Sequence, residues 1–382
     1  MHVLIADPLP PETQAGLEAL GLQVTVNTEL GSHNLPAALA DVDLLVVGRT
    51  RVTRRAIEAA PRLRVILRAG SGVETLDLAA ASERGVYVSH CPDADASARA
   101  EHVFALLLAL DRGLAARPLA APATGLRGRT LGLLGYDATA QRVRDIAVGL
   151  GMRVHAHSAA LTTARASEAG VRRAATVEAL LSEADVVSLH PEAADAGVLL
   201  TAERLSLLSA GATLINVARR GLIAWPAAQA RLAAGTLRLG LDVYDADDFG
   251  DEVPFAADAY PGLLVTHRRA SATAQATDAI ASTVLDHVEQ YLISHRVPDC
   301  VNLGAPPEAS TTLLCRFRPS NGLLAALFEA LRDGGVHVHS VDTGTFRDHA
   351  AAYARLELDR APAPAVLQAI TRHPQVIGID LS

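Results

Sequence analysis

The chain has 382 residues, half of them hydrophobic and a fifth charged, a composition that predicts two or three folded domains and argues against disorder. All 34 basic residues are arginines, which excludes a Schiff-base lysine and the lysine of a P-loop. The net charge of −8, without any basic run, makes nucleic acid an improbable partner. The cysteines Cys91, Cys300 and Cys315 have neither metal-ligand nor disulfide spacing, and we predict no metal site.

Residues 1–97 alternate predicted strands and helices. The strands are predicted at 3–6, 22–27, 44–47 and 65–68, and the helices at 11–19 and 54–59. A first strand at this position is unlike a signal peptide, and no apolar run is long enough to cross a bilayer. We therefore expect a cytoplasmic protein without a membrane partner.

A glycine-rich turn, residues 68–77, follows the strand at 65–68. Its Gly70, Ser71 and Gly72 offer backbone N–H groups and a hydroxyl to an anion. A tight turn that needs positive φ angles explains the same glycines equally well. Both interpretations stay open at this point.

The central stretch, residues 130–153, predicts a buried strand, a tight turn and a long amphipathic helix. It follows a helix at 101–109 and a linker at 113–127 that is rich in Pro, Ala and Gly. The helix has an inner face of Ala140, Val143, Ile146, Ala147 and Leu150, ends near Gly151, and leads into a strand at 153–157. This order is typical of a dinucleotide-binding domain, whose G-x-G-x-x-G would fall on residues 135–140.

Only the first glycine of that motif is present. The turn is Gly135, Tyr136, Asp137, Ala138, Thr139 and Ala140. Asp137 replaces the second glycine and brings a negative charge to the place where a diphosphate approaches the helix N-terminus, so we expect repulsion there. Ala140 is a permitted replacement of the third glycine. The acidic residue that would bind the ribose hydroxyls is replaced by Ser158.

Further strands are predicted at 186–190, 213–217, 237–243 and 263–266. Strands alternating with helices predict a doubly wound parallel sheet, in which ligands bind at the carboxyl ends of the strands. That rule singles out Arg219, the acidic segment 242–248, and His267 with Arg268.

A long helix at 273–295 leads to a boundary rich in Pro and Gly, and residues 310–382 have the pattern β-α-β-β-α-β. The strands are predicted at 311–316, 336–343, 352–358 and 376–381, and the helices at 322–332 and 363–371. This pattern predicts a two-layer α+β module of the ferredoxin-like type. It carries no cluster of acids, bases or nucleophiles, which favours a regulatory or oligomerisation role.

Four segments together resemble the D-2-hydroxyacid dehydrogenase family, and within it the phosphoglycerate dehydrogenase-like members. They are residues 51–92, 100–112 (AEHVFALLLALDR), 212–223 (ATLINVARRGLI) and 297–307 (VPDCVNLGAPP). The resemblance implies two Rossmann-like domains, a substrate domain from 1–97 and 275–303 and a nucleotide domain from 98–274. It also implies an ACT-like regulatory domain at 308–382, a possible amino-acid effector, and a homodimer or homotetramer. In the turn at 317–324 of that domain, Pro319 replaces the usual Asp or Asn.

The resemblance also implies site residues. Arg219 would bind the substrate carboxylate of a small anionic 2-hydroxy or 2-oxo acid, with Arg49, Arg51, Ser71 and Gly72 as further substrate ligands. NAD or NADP would lie against residues that follow four strands of the nucleotide domain: Gly135, Tyr136, Asp137, Ala138, Thr139, Ala140, Ser158, Val217, Ala218 and Asp242.

The acid/base pair of the family falls on altered residues. The glutamate position is Asp247, and the histidine position is Arg268, with His267 one residue earlier. A guanidinium stays protonated and cannot act as a general base, and His267 would point to the other face of an extended segment. Two hypotheses follow: an oxidoreductase that uses His267, or an inactive homologue that acts as a binding or regulatory protein. An enzyme of altered chemistry is a third.

Overall fold

The computed structural model describes residues 1–114, 123–191, 197–219, 221–243, 260, 262–304 and 311–382. The chain divides into two compact units, Met1–Asn302 and Leu303–Ser382. The predicted site residue Asp247 and the middle of the predicted linker lie outside the described residues.

The first sheet of the first unit has five parallel strands in the order β2-β1-β3-β4-β5. They are β1 (His2–Ile5), β2 (Gln23–Val26), β3 (Leu44–Val47), β4 (Val65–Arg68) and β5 (Tyr87–His90). The helices between them are α1 (Pro11–Ala19), α2 (Leu35–Ala38), α3 (Arg54–Glu58) and α4 (Leu78–Glu83). Every residue of β3 is buried, as expected for a central strand covered on both faces.

The second sheet has seven parallel strands in the order β12-β11-β10-β9-β6-β7-β8. They are β6 (Thr130–Leu134), β7 (Arg153–His157), β8 (Arg172–Arg173), β9 (Val186–Leu189), β10 (Ala212–Asn216), β11 (Leu237–Leu241) and β12 (Leu263–Val265). Its helices are α5 (Ala96–Arg112), α6 (Ala138–Gly149), α7 (Thr163–Glu168), α8 (Val177–Glu183), α9 (Ala202–Ser206) and α10 (Trp225–Ala233). The strand order reverses between β6 and β9, so the prediction of doubly wound parallel sheets is confirmed.

A long helix, α11 (Ala274–Ser294), returns the chain to the first sheet. It packs closely on α1 at Gly16, which has no side chain. A Cβ added there would lie only 2.8 Å from the Leu285 side chain. The segment that follows runs along the edge strand β5, where Val301 N–H donates to Val88 O at 2.8 Å. The Asn302 side chain accepts from Val88 N–H at 2.8 Å and donates to Val86 O at 2.8 Å.

Three predicted boundaries in the first unit are corrected. Helix α5 begins at Ala96, five residues before the predicted start, because the preceding small residues also pack inside. Helix α6 begins at Ala138, so Ala138, Thr139 and Ala140 form its first turn rather than part of the loop. Leu150, predicted on the inner face of this helix, is its C-cap and is 40% exposed.

None of the described helices has both the length and the apolar character that membrane crossing requires.

The second unit has an antiparallel sheet in the order β14-β15-β13-β16. Its elements are β13 (Thr311–Phe317), α12 (Leu323–Asp333), β14 (Val338–Thr345), β15 (Ala352–Leu358), α13 (Pro364–Thr371) and β16 (Val376–Leu381). The order β-α-β-β-α-β is the predicted one, although β14 begins two residues later than predicted. Side chains of both helices and of the inner sheet face form a hydrophobic core of its own.

Candidate functional site

The turn between β6 and α6 passes very close to the end of β9. Gly135 has φ +96°, and a Cβ at this position would overlap the carbonyl oxygen of His190. Its N–H donates to His157 O at 2.8 Å. Only glycine therefore fits here, which is the physical reason for the one glycine of the predicted motif that the chain retains.

Asp137 is the N-cap residue of α6. Its Oδ1 accepts a hydrogen bond from the Ala140 N–H at 2.7 Å. A helix N-terminus attracts anions because its first N–H groups lack intrahelical acceptors. Here a carboxylate of the chain itself takes that place. The predicted negative charge at the second glycine position is thus directed at the helix terminus rather than away from it.

His190 lies beside this carboxylate and is buried. Its Nδ1 is 3.5 Å from Asp137 Oδ1, and its Nε2 is 2.9 Å from Ser188 Oγ. Burial lowers the pKa of His190 well below its usual range; Asp137 opposes this shift and the Arg99 guanidinium adds to it. Burial thus favours the neutral imidazole, and the 3.5 Å contact with Asp137 is not a full ion pair.

The predicted ribose position also lacks an acidic side chain. Ser158 is buried at the end of β7, and its Oγ accepts from the Ala160 N–H at 3.2 Å. Tyr136 packs against the core beneath α6, and burial raises its pKa. NAD is typically held by an open helix N-terminus at its diphosphate and by an acid at its ribose. Asp137 and Ser158 do not fit such a cofactor.

A second part of the site is the turn at the carboxyl end of β10, which carries Arg219. Asn216, which is 2% exposed, donates from Nδ2 to Arg219 O at 2.8 Å and accepts at Oδ1 from Ala218 N–H at 3.1 Å. Val217 is buried in the core, and the Arg219 Nε is shielded from solvent. The Asn216 side chain thus fixes the turn that presents Arg219. The sequence signal for it was a polar asparagine near the carboxyl end of a buried strand.

Asp242, at the end of β11, shapes the loop 266–270. Its Oδ1 accepts from Thr266 Oγ1 at 2.6 Å and from the Arg269 N–H at 2.8 Å, and its Oδ2 accepts from the Ala270 N–H at 3.0 Å. Burial would raise its pKa, but hydrogen bonds from His102, Thr266 and the two backbone groups outweigh burial and lower the pKa to about 2. Both carboxylate oxygens of Asp242, a residue predicted to bind a cofactor, thus accept hydrogen bonds from this loop.

His102 joins α5 to the same loop. Its Nε2 is 2.8 Å from Thr266 Oγ1 and 3.4 Å from Asp242 Oδ1. Sequence reasoning missed this contact, because the two residues are 164 positions apart. The available signal was a histidine directly before the apolar run of this helix.

His267 and Arg268 both lie on the exposed side of this loop. Arg268 has φ +47°, and its N–H donates to Asp242 O at 2.9 Å. The position predicted for the acid/base histidine is therefore a strained backbone site that carries a permanent cation. Among the described residues, no group of three His, Cys, Asp or Glu side chains could hold a metal ion.

On the first sheet, Arg49 and Arg51 are exposed and flank the buried Thr50. Asp7 holds their loop, because its Oδ2 accepts from the N–H groups of Gly48 at 2.7 Å and Thr50 at 3.1 Å. Asp7 thus fixes this loop, on which both arginines are exposed.

The predicted anion loop after β4 is held from three directions. His90 Nδ1 donates to Ser71 O at 2.8 Å, and Cys91 N–H donates to Gly70 O at 3.0 Å. Arg99, on α5, donates from Nη2 to Ser71 Oγ at 2.7 Å. Sequence analysis missed Arg99. Its signal was the i,i+4 spacing from Asp95, which predicts an ion pair on a helix.

The comparisons with known proteins agree with this fold. A sequence model of the family described as D-isomer specific 2-hydroxyacid dehydrogenase, catalytic domain, matches residues 3–302. The chain is 33% identical over 317 residues to the D-3-phosphoglycerate dehydrogenase of Mycobacterium bovis, a match that covers 79% of this chain and 59% of that protein. The chain thus spans about three-fifths of the length of this curated relative.

Solved structures of other proteins share the fold of this chain. The TT0316 protein from Thermus thermophilus has a TM-score of 0.68 and 30% identity, over 79% of this chain and 100% of that one. The NAD⁺-bound 3-phosphoglycerate dehydrogenase of Entamoeba histolytica shares the fold, with a TM-score of 0.70 and 20% identity, over 80% of this chain and 99% of that one. This chain belongs to the D-isomer specific 2-hydroxyacid dehydrogenase family and is similar to its phosphoglycerate dehydrogenases.

Proposed function

We propose that this chain binds a small 2-hydroxy or 2-oxo acid at the carboxyl ends of its strands and does not perform the family's ordinary hydride transfer with NAD or NADP. The Asp137 carboxylate carries the proposal. It accepts from Ala140 N–H at 2.7 Å, at the helix terminus where a dinucleotide diphosphate would bind. A second anion at that place would meet an unfavourable charge in a partly buried setting.

The acid/base position supports the same proposal. Arg268 stands where the family has its histidine, and a guanidinium neither accepts nor releases a proton at neutral pH. Loss of a positioned general acid/base lowers rates by roughly 10²–10⁴-fold. Two independent requirements of the family reaction are thus altered in one chain.

The anion-binding residues support retention of a ligand. Arg219 is presented by a turn that Asn216 fixes with two hydrogen bonds. Ser71 and Gly72 lie in a loop whose carbonyl groups are anchored, and Arg49 and Arg51 project from an ordered loop. Arginine and backbone N–H groups are suited to carboxylates and phosphates.

A working oxidoreductase on a 2-hydroxy acid is the competing function. The family membership and Arg219 favour it, and it requires His267 to serve as the base. Direct binding of the cofactor separates the two functions.

The test is calorimetry of NADH, NADPH and NAD⁺ with cofactor-stripped protein. We expect no binding at millimolar concentration to the wild type, and measurable binding to Asp137→Gly, which restores the second glycine. Asp137→Asn keeps a helix cap without the charge and separates repulsion from shape. Asp145→Asn, on the exposed face of α6, is the matched control.

Micromolar binding to the wild type would contradict the proposal. Reduction of glyoxylate by that protein, and its loss in His267→Ala, would then establish the competing function. Undiminished turnover in His267→Ala would remove this residue from the mechanism.

We also propose that the second unit is an ACT-type regulatory module within a homodimer or homotetramer. Its β-α-β-β-α-β order supports this proposal. Light scattering with and without a panel of the twenty amino acids tests it. An unchanged monomer, without any amino-acid-dependent thermal shift, would contradict it.

A further inference from the structure

Arg99 is an unusual residue for its position on α5. It lies in the first turns of the helix, where the macrodipole disfavours a cation. Its Nε donates to Asp95 Oδ2 at 2.9 Å, and Asp95 is 4% exposed. The guanidinium is therefore held in one orientation by a buried carboxylate, rather than extended freely into solvent.

From this anchor, the guanidinium reaches the glycine-rich loop of the first sheet. Its Nη2 donates to Ser71 Oγ at 2.7 Å, which joins residues 28 positions apart. A guanidinium has five N–H donors, and the contacts to Asp95 and Ser71 use two of them. Positive charge and further donors thus remain beside the loop.

Two carbonyl groups of the loop are already bound, whereas two of its N–H groups are not bonded to any described residue. The carbonyl of Gly70 is bound by Cys91 and that of Ser71 by His90. Within the described parts of the chain, nothing accepts from the N–H of Ser71 or Gly72. Two backbone N–H groups next to a fixed guanidinium form the donor set that an oxyanion needs.

One carboxylate opposes anion binding at this place. Glu74 is exposed, and its Oε2 lies against the open face of Gly72, where a Cβ would overlap it. The positive charge of Arg99 therefore favours an anion beside this loop, and the negative charge of Glu74 opposes it.

We propose that Arg99 is an anion-binding residue of the Ser71–Gly72 loop, where it contacts a carboxylate oxygen of the bound acid. The proposal rests on the proposed function for the identity of the ligand. The ligand's carboxylate then meets an arginine from α5 in addition to the loop N–H groups. The Arg99 guanidinium also contributes to the lowered pKa of His190, after burial.

The experiment measures dissociation constants of glyoxylate, 3-phosphoglycerate and inorganic phosphate by calorimetry, with the amide NMR shifts of Ser71 and Gly72 as a second readout. Removal of Arg99 alone would leave Asp95 buried and unpaired, so the variant is the double substitution Asp95→Asn/Arg99→Gln. We expect binding about tenfold weaker or more in this variant. Glu74→Gln is expected to tighten binding, by about two- to fivefold. Arg54→Leu, in an exposed ion pair with Glu83, is the matched control and should bind as the wild type does.

The possible outcomes separate the two proposals. If the wild type binds the acids and the double variant binds them equally well, the role of Arg99 is overturned and the proposed function stands. If the wild type binds phosphate in an Arg99-dependent way but neither acid, the subsite stands and the acid ligand is overturned. If nothing binds and the Ser71 and Gly72 shifts do not move, both are overturned.

Discussion

Single residues at the ends of the strands decide what this site can bind. Gly135 is retained because a side chain there would overlap the His190 carbonyl, a requirement of the fold itself. In the predicted motif, the second glycine position serves the cofactor rather than the fold, and Asp137 at this position is an N-cap that stabilises α6. The chain thus keeps the glycine that folding needs.

Asp242 is the residue whose loss we expect to harm the site most. Asp242→Asn keeps the shape but turns one acceptor oxygen into an NH₂ group that faces the N–H groups of Arg269 or Ala270. The free energy of unfolding in urea should fall by about 1.5–3 kcal/mol, as for hydrogen bonds to charged groups. Asp278→Asn, on an exposed turn of α11, should leave it unchanged. Equal stability of the two variants would mean that the loop 266–270 does not depend on this carboxylate.

At the scale of elements, three buried histidines, on β7, on α11 and at the end of β9, predict a common pH dependence. The pKa values of His155, His190 and His287 are all lowered, in each case chiefly by burial. The unfolded chain therefore binds more protons than the folded chain below about pH 6.5. Stability should be fully present above that pH and fall as the pH decreases, by about 1.4 kcal/mol per unit for each histidine still neutral in the folded state.

Urea denaturation at pH 7.5, 6.5 and 5.5 measures this slope. His190→Gln should make it shallower, whatever its effect on absolute stability. A slope that is the same in both proteins would show that His190 does not titrate between the folded and unfolded states. Asp242 does not contribute in this range, because its pKa is about 2.

Element boundaries show what a sequence pattern can and cannot predict. The strands Thr130–Leu134 and Arg153–His157 were predicted at both ends. The first is a largely apolar run between turn residues, and the second alternates polar and apolar residues after Gly151. The start of α5 was predicted five residues late, since Pro92, Asp93 and Asp95 directly before it are typical of a loop. The strand β8 is only two residues long and has no periodicity to detect.

The whole molecule consists of two units with separate cores. Leu303–Ser382 has its own sheet and hydrophobic core, so we expect a fragment of these residues to unfold cooperatively by itself. Circular dichroism and calorimetry of the fragment, beside residues 1–302, measure this. A fragment without a cooperative transition would show that its fold depends on the rest of the chain.

The architecture follows from sequence patterns, but much of the site does not. Alternating strands and helices predicted two parallel sheets, and the rule for carboxyl ends pointed to Arg219 and Asp242. The contacts of Arg99 with Ser71 and of His102 with Thr266 join residues that are 28 and 164 positions apart. Such contacts arise only when the sheets and α5 are packed together, and no local periodicity encodes them.

The hydrogen bonds that Val301 and Asn302 make with β5 have a consequence for solubility. Val88 lies within the edge strand β5. Without a partner, its N–H and C=O groups would be a template for a strand of another molecule. The returning segment occupies both groups. A shortened first unit that ends before Cys300 would expose this edge and aggregate more readily than one that ends after Asn302.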